Sequence, residues 1–216
     1  MNTFSTCIFD LDGTLVNSLA DLANSTNSAL AALGYPSHPI DNYRYFVGRG
    51  VAKLIEVSLP EEARTKEIAL EARRLFDEHY SSHYLDNTHP YDGITDLLTA
   101  LQNKHIRLAV VSNKPQIYVD KIVHHLFPAV FSICLGQRLG IPRKPDPTGV
   151  LEACSALGAT AQSSLYVGDS GLDMQTAVAA GCYPVGVLWG FRAKPELESN
   201  GAKALVSTPA ELLAYI

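Results

Sequence analysis

TCIFDLDGTLVNS, residues 6–18, runs from an apolar segment straight into two aspartates, Asp10 and Asp12, with one leucine between them and Gly13 and Thr14 behind. The segment before Asp10 does not alternate polar with apolar residues. That pattern marks a strand covered on both faces, as in a parallel sheet. Comparable runs recur at residues 107–111 (RLAVV), 130–135 (VFSICL) and 164–167 (SLYV), with further candidates at 183–188 (YPVGVL) and 203–206 (KALV). Helical patterns separate them. Ile94, Leu97, Leu98 and Leu101 fall on one helical stripe after a Pro90–Gly93 turn; Pro115 opens one helix and Pro147 another that ends near Gly158; Gly171–Ala180 is a short helix closed by Gly181. Strand–helix alternation predicts an α/β fold, an open parallel sheet with crossovers of the usual hand.

Residues 16–85 interrupt the alternation. A helix is predicted from about Ser18 to Leu33, with Leu19, Leu22, Ala23, Leu30 and Leu33 on one stripe and Gly34, Pro36 and Pro39 ending it. A long helix is predicted from Pro60 to about Tyr84, and no strand between the two. The expected organisation is an α/β core of residues 1–15 and 86–216 with an inserted all-α-helical cap domain, residues 16–85.

Composition narrows the function classes. The net charge is -5 and no run of Lys or Arg stands out, so a nucleic-acid partner is not expected, since phosphate contacts need clustered cations. No apolar stretch approaches the ~20 residues that cross a bilayer, and no basic segment leads into an apolar one at the start, so neither a membrane nor a secretory route is expected. Cys7, Cys134, Cys154 and Cys182 are far apart and form no C-x-x-C, which reads as reduced, mostly buried thiols in a cytoplasmic protein.

Sites in open α/β sheets form at the carboxyl ends of the strands. Here those ends carry Asp10 and Asp12, Ser112–Asn113–Lys114, Lys144 in the RKPDP segment, and Asp169 with Asp173 one helical turn on. Alignment of these edges gathers several carboxylates in one cleft. They repel one another, and one lysine cannot offset them, whereas a hard divalent cation can. Carboxylate oxygens, waters and a substrate phosphate suit Mg²⁺, and cation and lysine together stabilise phosphoryl charge. Two neighbouring aspartates in different surroundings can divide the work, one ionised to attack phosphorus and one carrying the proton for the leaving oxygen. Each piece alone has a plainer reading: Asp12–Gly13 as a turn, Ser112–Asn113 as a cap, Asp169 and Asp173 as helix-start acids, Lys144 as a surface loop. Four in order at successive strand ends favour the chemical one.

In this order they resemble the haloacid dehalogenase superfamily of phosphohydrolases. FDLDGTL (residues 9–15) is similar to its first motif, VVSN (110–113) to the second, Lys144 in RKPDP to the third, and GDSGLD (168–173) to the fourth. The resemblance implies a Rossmann-like core and Mg²⁺ held by Asp10, Asp12 (through its backbone carbonyl), Asp169 and Asp173. It implies Asp10 as nucleophile, Asp12 as general acid/base, and Lys144 steadying the charge. Ser112 would bind the phosphoryl group, helped by backbone N–H groups near Leu11 and Asn113. An aspartate at position 12 favours phosphate esters over halides, whose departure needs no proton.

FVGRGVAKLI (46–55), YDGITDLLTAL (91–101), SNKP and KPDP make the finer resemblance one to phosphoglycolate phosphatases, although Asn17 and GQRLGIPRKPDP depart from that pattern. The alternatives are a phosphosugar or nucleotide phosphatase, a β-phosphoglucomutase-like phosphotransferase, and a non-catalytic phosphate-binding module. The partner expected is a small phosphate ester, and the assembly a monomer or homodimer. Arg49, in VGRGVAKL, is a candidate for the substrate's non-phosphate end, because guanidinium suits planar anions; the plainer reading is a solvated residue in a Gly48–Gly50 turn. His79 and His83 have a metal-like spacing, but surface histidines are the favoured reading.

Overall fold

The strands are β1 (Thr6–Phe9), the two-residue β2 (Val16–Asn17) and β3 (His89–Pro90), β4 (Arg107–Pro115), β5 (Ile133–Gln137), β6 (Ser164–Gly168), β7 (Tyr183–Val187) and β8 (Ala204–Val206). The structure is a computed structural model that describes residues 4–216. Six strands form one parallel sheet in the order β5-β4-β1-β6-β7-β8. β1 lies centrally, with Cys7 opposite Leu108 of β4 on one side and Leu165 of β6 on the other. Its four residues are all buried, which is why the run does not alternate. Ile8, Ala109, Val111 and Tyr166 face a core completed by Val150, Ala153 and Ala177 of α7 (Thr148–Ala156) and α8 (Gly171–Ala180). Their alternates Cys7, Phe9, Leu108, Val110, Leu165 and Val167 are buried as well.

The chain divides into two units. One combines the residues up to Val16 with Pro90–Ile216 and holds the six-stranded sheet; the other is Asn17–His89. The helical unit contains α1 (Leu19–Ala32), α2 (Tyr43–Phe46), α3 (Val51–Ser58) and α4 (Lys66–His83), with α1 packed along α4. The buried Asp21 of α1 accepts from both N–H groups of Asn87, backbone and side chain, and from the backbone and hydroxyl of Thr88. The sheet unit also holds α5 (Ile94–Asn103), α6 (Gln116–Leu126) and α9 (Lys194–Ser199). The four cysteines are free thiols, three buried and Cys134 partly so, and no described helix is long and apolar enough to cross a membrane.

Among the boundaries that differ from the sequence reading, three have a clear local reason. α4 starts at Lys66, not Pro60, because Thr65 is its cap and accepts from Ile68 N–H, while Glu61–Ala63 form a separate 3₁₀ turn. β5 starts at Ile133, because Val130 is used in the turn after α6, where its N–H bonds Phe127 C=O. β4 continues past Val111 to Pro115. Val111 pairs with Leu135 and Pro115 with Gln137, so three residues of β4 bulge between those pairs against one of β5.

Candidate active site

The site is built at the carboxyl ends of β1, β4 and β6, the three central strands. Asp10 directly follows β1 and keeps the ladder, its N–H bonding Val167 C=O at 2.9 Å. The chain then turns tightly, with Leu15 and Val16 N–H groups both bonding Leu11 C=O and Gly13 at φ +87°. A Cβ on Gly13 would fall inside the carboxylate of Asp169. A Cβ on Gly190 would strike Asp169 and the Gly13 carbonyl. Glycine is thus required where two backbone segments close on one acidic side chain.

Asp10, Asp169 and Asp173 are buried, and one carboxylate oxygen from each lies within 4.8 Å of the others. Asp169 accepts from Phe191 N–H at 2.7 Å and from the Thr14 hydroxyl at 3.4 Å. Asp173 is held at the start of α8 by a reciprocal cap with Ser170, whose backbone N–H bonds it at 3.0 Å. Lys144 Nζ reaches Asp173 at 2.7 Å, Asp10 at 2.9 Å and the Tyr166 hydroxyl at 3.1 Å. The contact with Asp10 is ionic, as that carboxylate oxygen lacks an aligned hydrogen-bond partner. Asn113 clamps the lysine's backbone, donating to Lys144 C=O at 3.2 Å and accepting from its N–H at 2.9 Å. Asp12 lies outside the acidic triad, and Lys114 Nζ forks onto its two oxygens at 3.0 and 3.1 Å.

Burial sets the electrostatics. It pushes the Asp10 carboxyl up to about 6, against the opposing charge of Lys144. Burial, then the neighbouring Asp173 and Asp10, hold Asp169 well above the usual carboxylate range. Burial alone would lower Lys144, but Asp10 and Asp173 outweigh it and drive the ammonium well above its ordinary value. Once ionised, the four carboxylates outnumber the two lysine ammonium groups that touch them. The donors are all oxygens, the chemistry that a hard divalent cation takes, so the triad fits such an ion.

Asp10, Asp12, Ser112, Asn113, Lys144, Asp169 and Asp173 therefore meet in one place. Ser112 is buried beside them, its hydroxyl accepting from Lys114 N–H at 3.3 Å. Leu11 is buried in the turn. Arg49 belongs to the helical unit, between Gly48 and Gly50 at the start of α3. Two site residues escaped the sequence reading. In the sequence Lys114 reads only as part of a strand end; it lies in the bulge of β4 and reaches Asp12. Tyr166 gave no signal, because a tyrosine suits a buried strand; its hydroxyl donates to Val111 C=O at 3.2 Å and meets Lys144.

Residues 7–187 match the family model of the haloacid dehalogenase-like hydrolases. The chain is 36% identical over 213 residues to a phosphoglycolate phosphatase of Haemophilus influenzae, covering 93% of each. It is 33% identical over 207 residues to one of Aquifex aeolicus, covering 95% of this chain and 93% of that one. A crystal structure described as a predicted phosphoglycolate phosphatase from Haemophilus somnus superposes with a TM-score of 0.91 at 30% identity, covering 99% of this chain and 98% of that chain.

Proposed function

This chain belongs to the haloacid dehalogenase-like hydrolases, and from that premise we propose that it hydrolyses phosphoglycolate, or a small phosphate monoester close to it, with Mg²⁺ through an aspartyl-phosphate. It is a phosphatase of the phosphoglycolate phosphatase type. The observation that carries the mechanism is the separation of the two aspartates: Asp10 lies against Lys144 in the acidic triad, while Asp12, two residues on, is held by a different lysine.

Asp10 attacks phosphorus. Its Oδ–P bond forms as the bond to the leaving oxygen breaks, and Asp12 gives that oxygen a proton. Water then attacks phosphorus, Asp12 takes its proton, the Asp10–phosphorus bond breaks, and inorganic phosphate leaves. Lys144 offsets the charge on Asp10 and on the transferring group. The Ser112 hydroxyl and the backbone N–H groups of Leu11 and Asn113 are the candidates to hold its oxygens. Asp10, Asp169 and the Asp12 carbonyl would hold Mg²⁺, with Asp173 beside them; the ion supplies Lewis-acid neutralisation of phosphoryl charge. Arg49, in the helical unit Asn17–His89, is the candidate to read the glycolate carboxylate, as guanidinium suits planar anions. The protein works in the cytoplasm, as a monomer or homodimer.

Phosphate release is measured from phosphoglycolate, phosphosugars, nucleotides and an aryl phosphate, beside Asp10→Asn and a chelated control. Turnover with phosphoglycolate as best substrate, lost in both controls, is the expected result. Return of an isomer instead of phosphate would mark a mutase. Arg49→Ala should raise KM for phosphoglycolate and leave an uncharged aryl phosphate unaffected; equal effects on both would remove Arg49 from the substrate site.

A further inference from the structure

We propose that Lys114 is a positioning residue for Asp12, holding that carboxylate away from the acidic triad and aimed at the leaving oxygen and the attacking water. The inference rests on the phosphatase reading above for its chemical consequence, and on geometry for its structural content. Asp12 is two residues from Asp10, and a short side chain on a tight turn has few places to go. Turned toward the triad, it would add a fourth carboxylate to a buried cluster of three. Lys114 opposes that. Its side chain is only 3% exposed and that of Asp12 12%, and Nζ meets both carboxylate oxygens at near-equal distance. A lysine is seldom buried unless it is paired. A charge-assisted contact to both oxygens fixes the direction of a carboxylate better than a single bond does.

The lysine is itself held. The bulge of β4 between Val111 and Pro115 takes Ser112–Lys114 out of the regular ladder, and Lys114 N–H donates to the Ser112 hydroxyl at 3.3 Å. The two ammonium groups thus have different tasks. Lys144 serves the triad, reaching Asp10, Asp173 and Tyr166, and Lys114 serves Asp12.

The test is a double-mutant cycle of Lys114→Met and Asp12→Asn with Mg²⁺, read on phosphoglycolate and 4-nitrophenyl phosphate, together with a crystal structure of Lys114→Met. Lys114→Met alone should lower kcat by roughly tenfold or more while KM moves less than about threefold, as for a group that acts on the acid/base. In the Asp12→Asn background it should cost no more than about twofold, because the residue it acts through is already disabled. The crystal structure should show the Asp12 carboxylate displaced. A loss that multiplies fully in the Asp12→Asn background overturns the proposal, since Lys114 then acts on its own. So does a raised KM with unchanged kcat, which would mark a substrate-binding lysine, and so does an Asp12 that stays in place without Lys114. If the wild type turns over no phosphate ester, the phosphatase reading fails, and the position of Asp12 in the variant crystal still decides the inference. Should Lys114→Met not fold, Lys114→Gln keeps a polar tip in the same slot and takes its place.

Discussion

Gly13 is more constrained than the aspartates beside it. A non-glycine residue at φ +87° costs about 1–3 kcal/mol in backbone strain alone, and here a Cβ would also displace the Asp169 carboxylate. Gly13→Ala is therefore expected to reduce turnover by roughly a hundredfold or more, the scale of losing a preorganised electrostatic group, with a weaker rise in Tm on adding Mg²⁺. Steady-state kinetics and thermal melts check both. The acids themselves predict a pH effect. With Asp10 raised to about 6 and Asp169 also raised, the folded protein binds more protons than the unfolded chain between the ordinary carboxylate range and those higher values. Stability without metal should then fall as pH rises from about 4 through about 6. A cation that pairs with the ionised carboxylates reverses the penalty, so Mg²⁺ should raise Tm more at pH 7 than at pH 5. Calorimetry at the two pH values, with and without Mg²⁺, tests the sign. An equal gain at both would mean that these carboxylates do not hold the ion.

Among the elements, α1 depends on one buried acid. Asp21 satisfies the backbone N–H groups of both Asn87 and Thr88, so Asp21→Ala leaves them without an acceptor. The expected cost is about 2–4 kcal/mol, seen as a lower urea midpoint with the m-value unchanged. The sequence showed this helix but not its anchor, because the partners lie 66 and 67 residues away, and no local pattern reports such a distance. The same division holds elsewhere. β1 and β6 were legible because full burial writes an unbroken apolar run, and α8 because Gly181 closes it; the Ser170 cap at its start is a finding of the structure. The bulge in β4 was not legible, since it arises from pairing with β5 and leaves SNKP unmarked. Asp10, Asp12, Ser112, Lys144 and Asp169 could be read as a group from their places at strand ends. That Asn113 uses its side chain to clamp Lys144 depended on the path of the loop between them.

At the scale of the molecule, the carboxyl end of the sheet gathers Asp10, Asp12, Asp169 and Asp173 around Lys114 and Lys144. Several ionised carboxylates converging on one point favour a divalent ion over a monovalent one. Chelation should abolish turnover, Mg²⁺ should restore it, and K⁺ at the same ionic strength should not. The strands beneath these groups also have a kinetic consequence. β4, β1 and β6 are all interior to the sheet, with a strand on each side, whereas β8 is at an edge. Amide protons of Ile8, Val110 and Tyr166 should exchange with deuterium only when the whole sheet opens, while those of β8 are released by fraying. Small, frequent openings would then leave the catalytic floor undisturbed, and the time a molecule stays competent would be set by its slowest-exchanging amides.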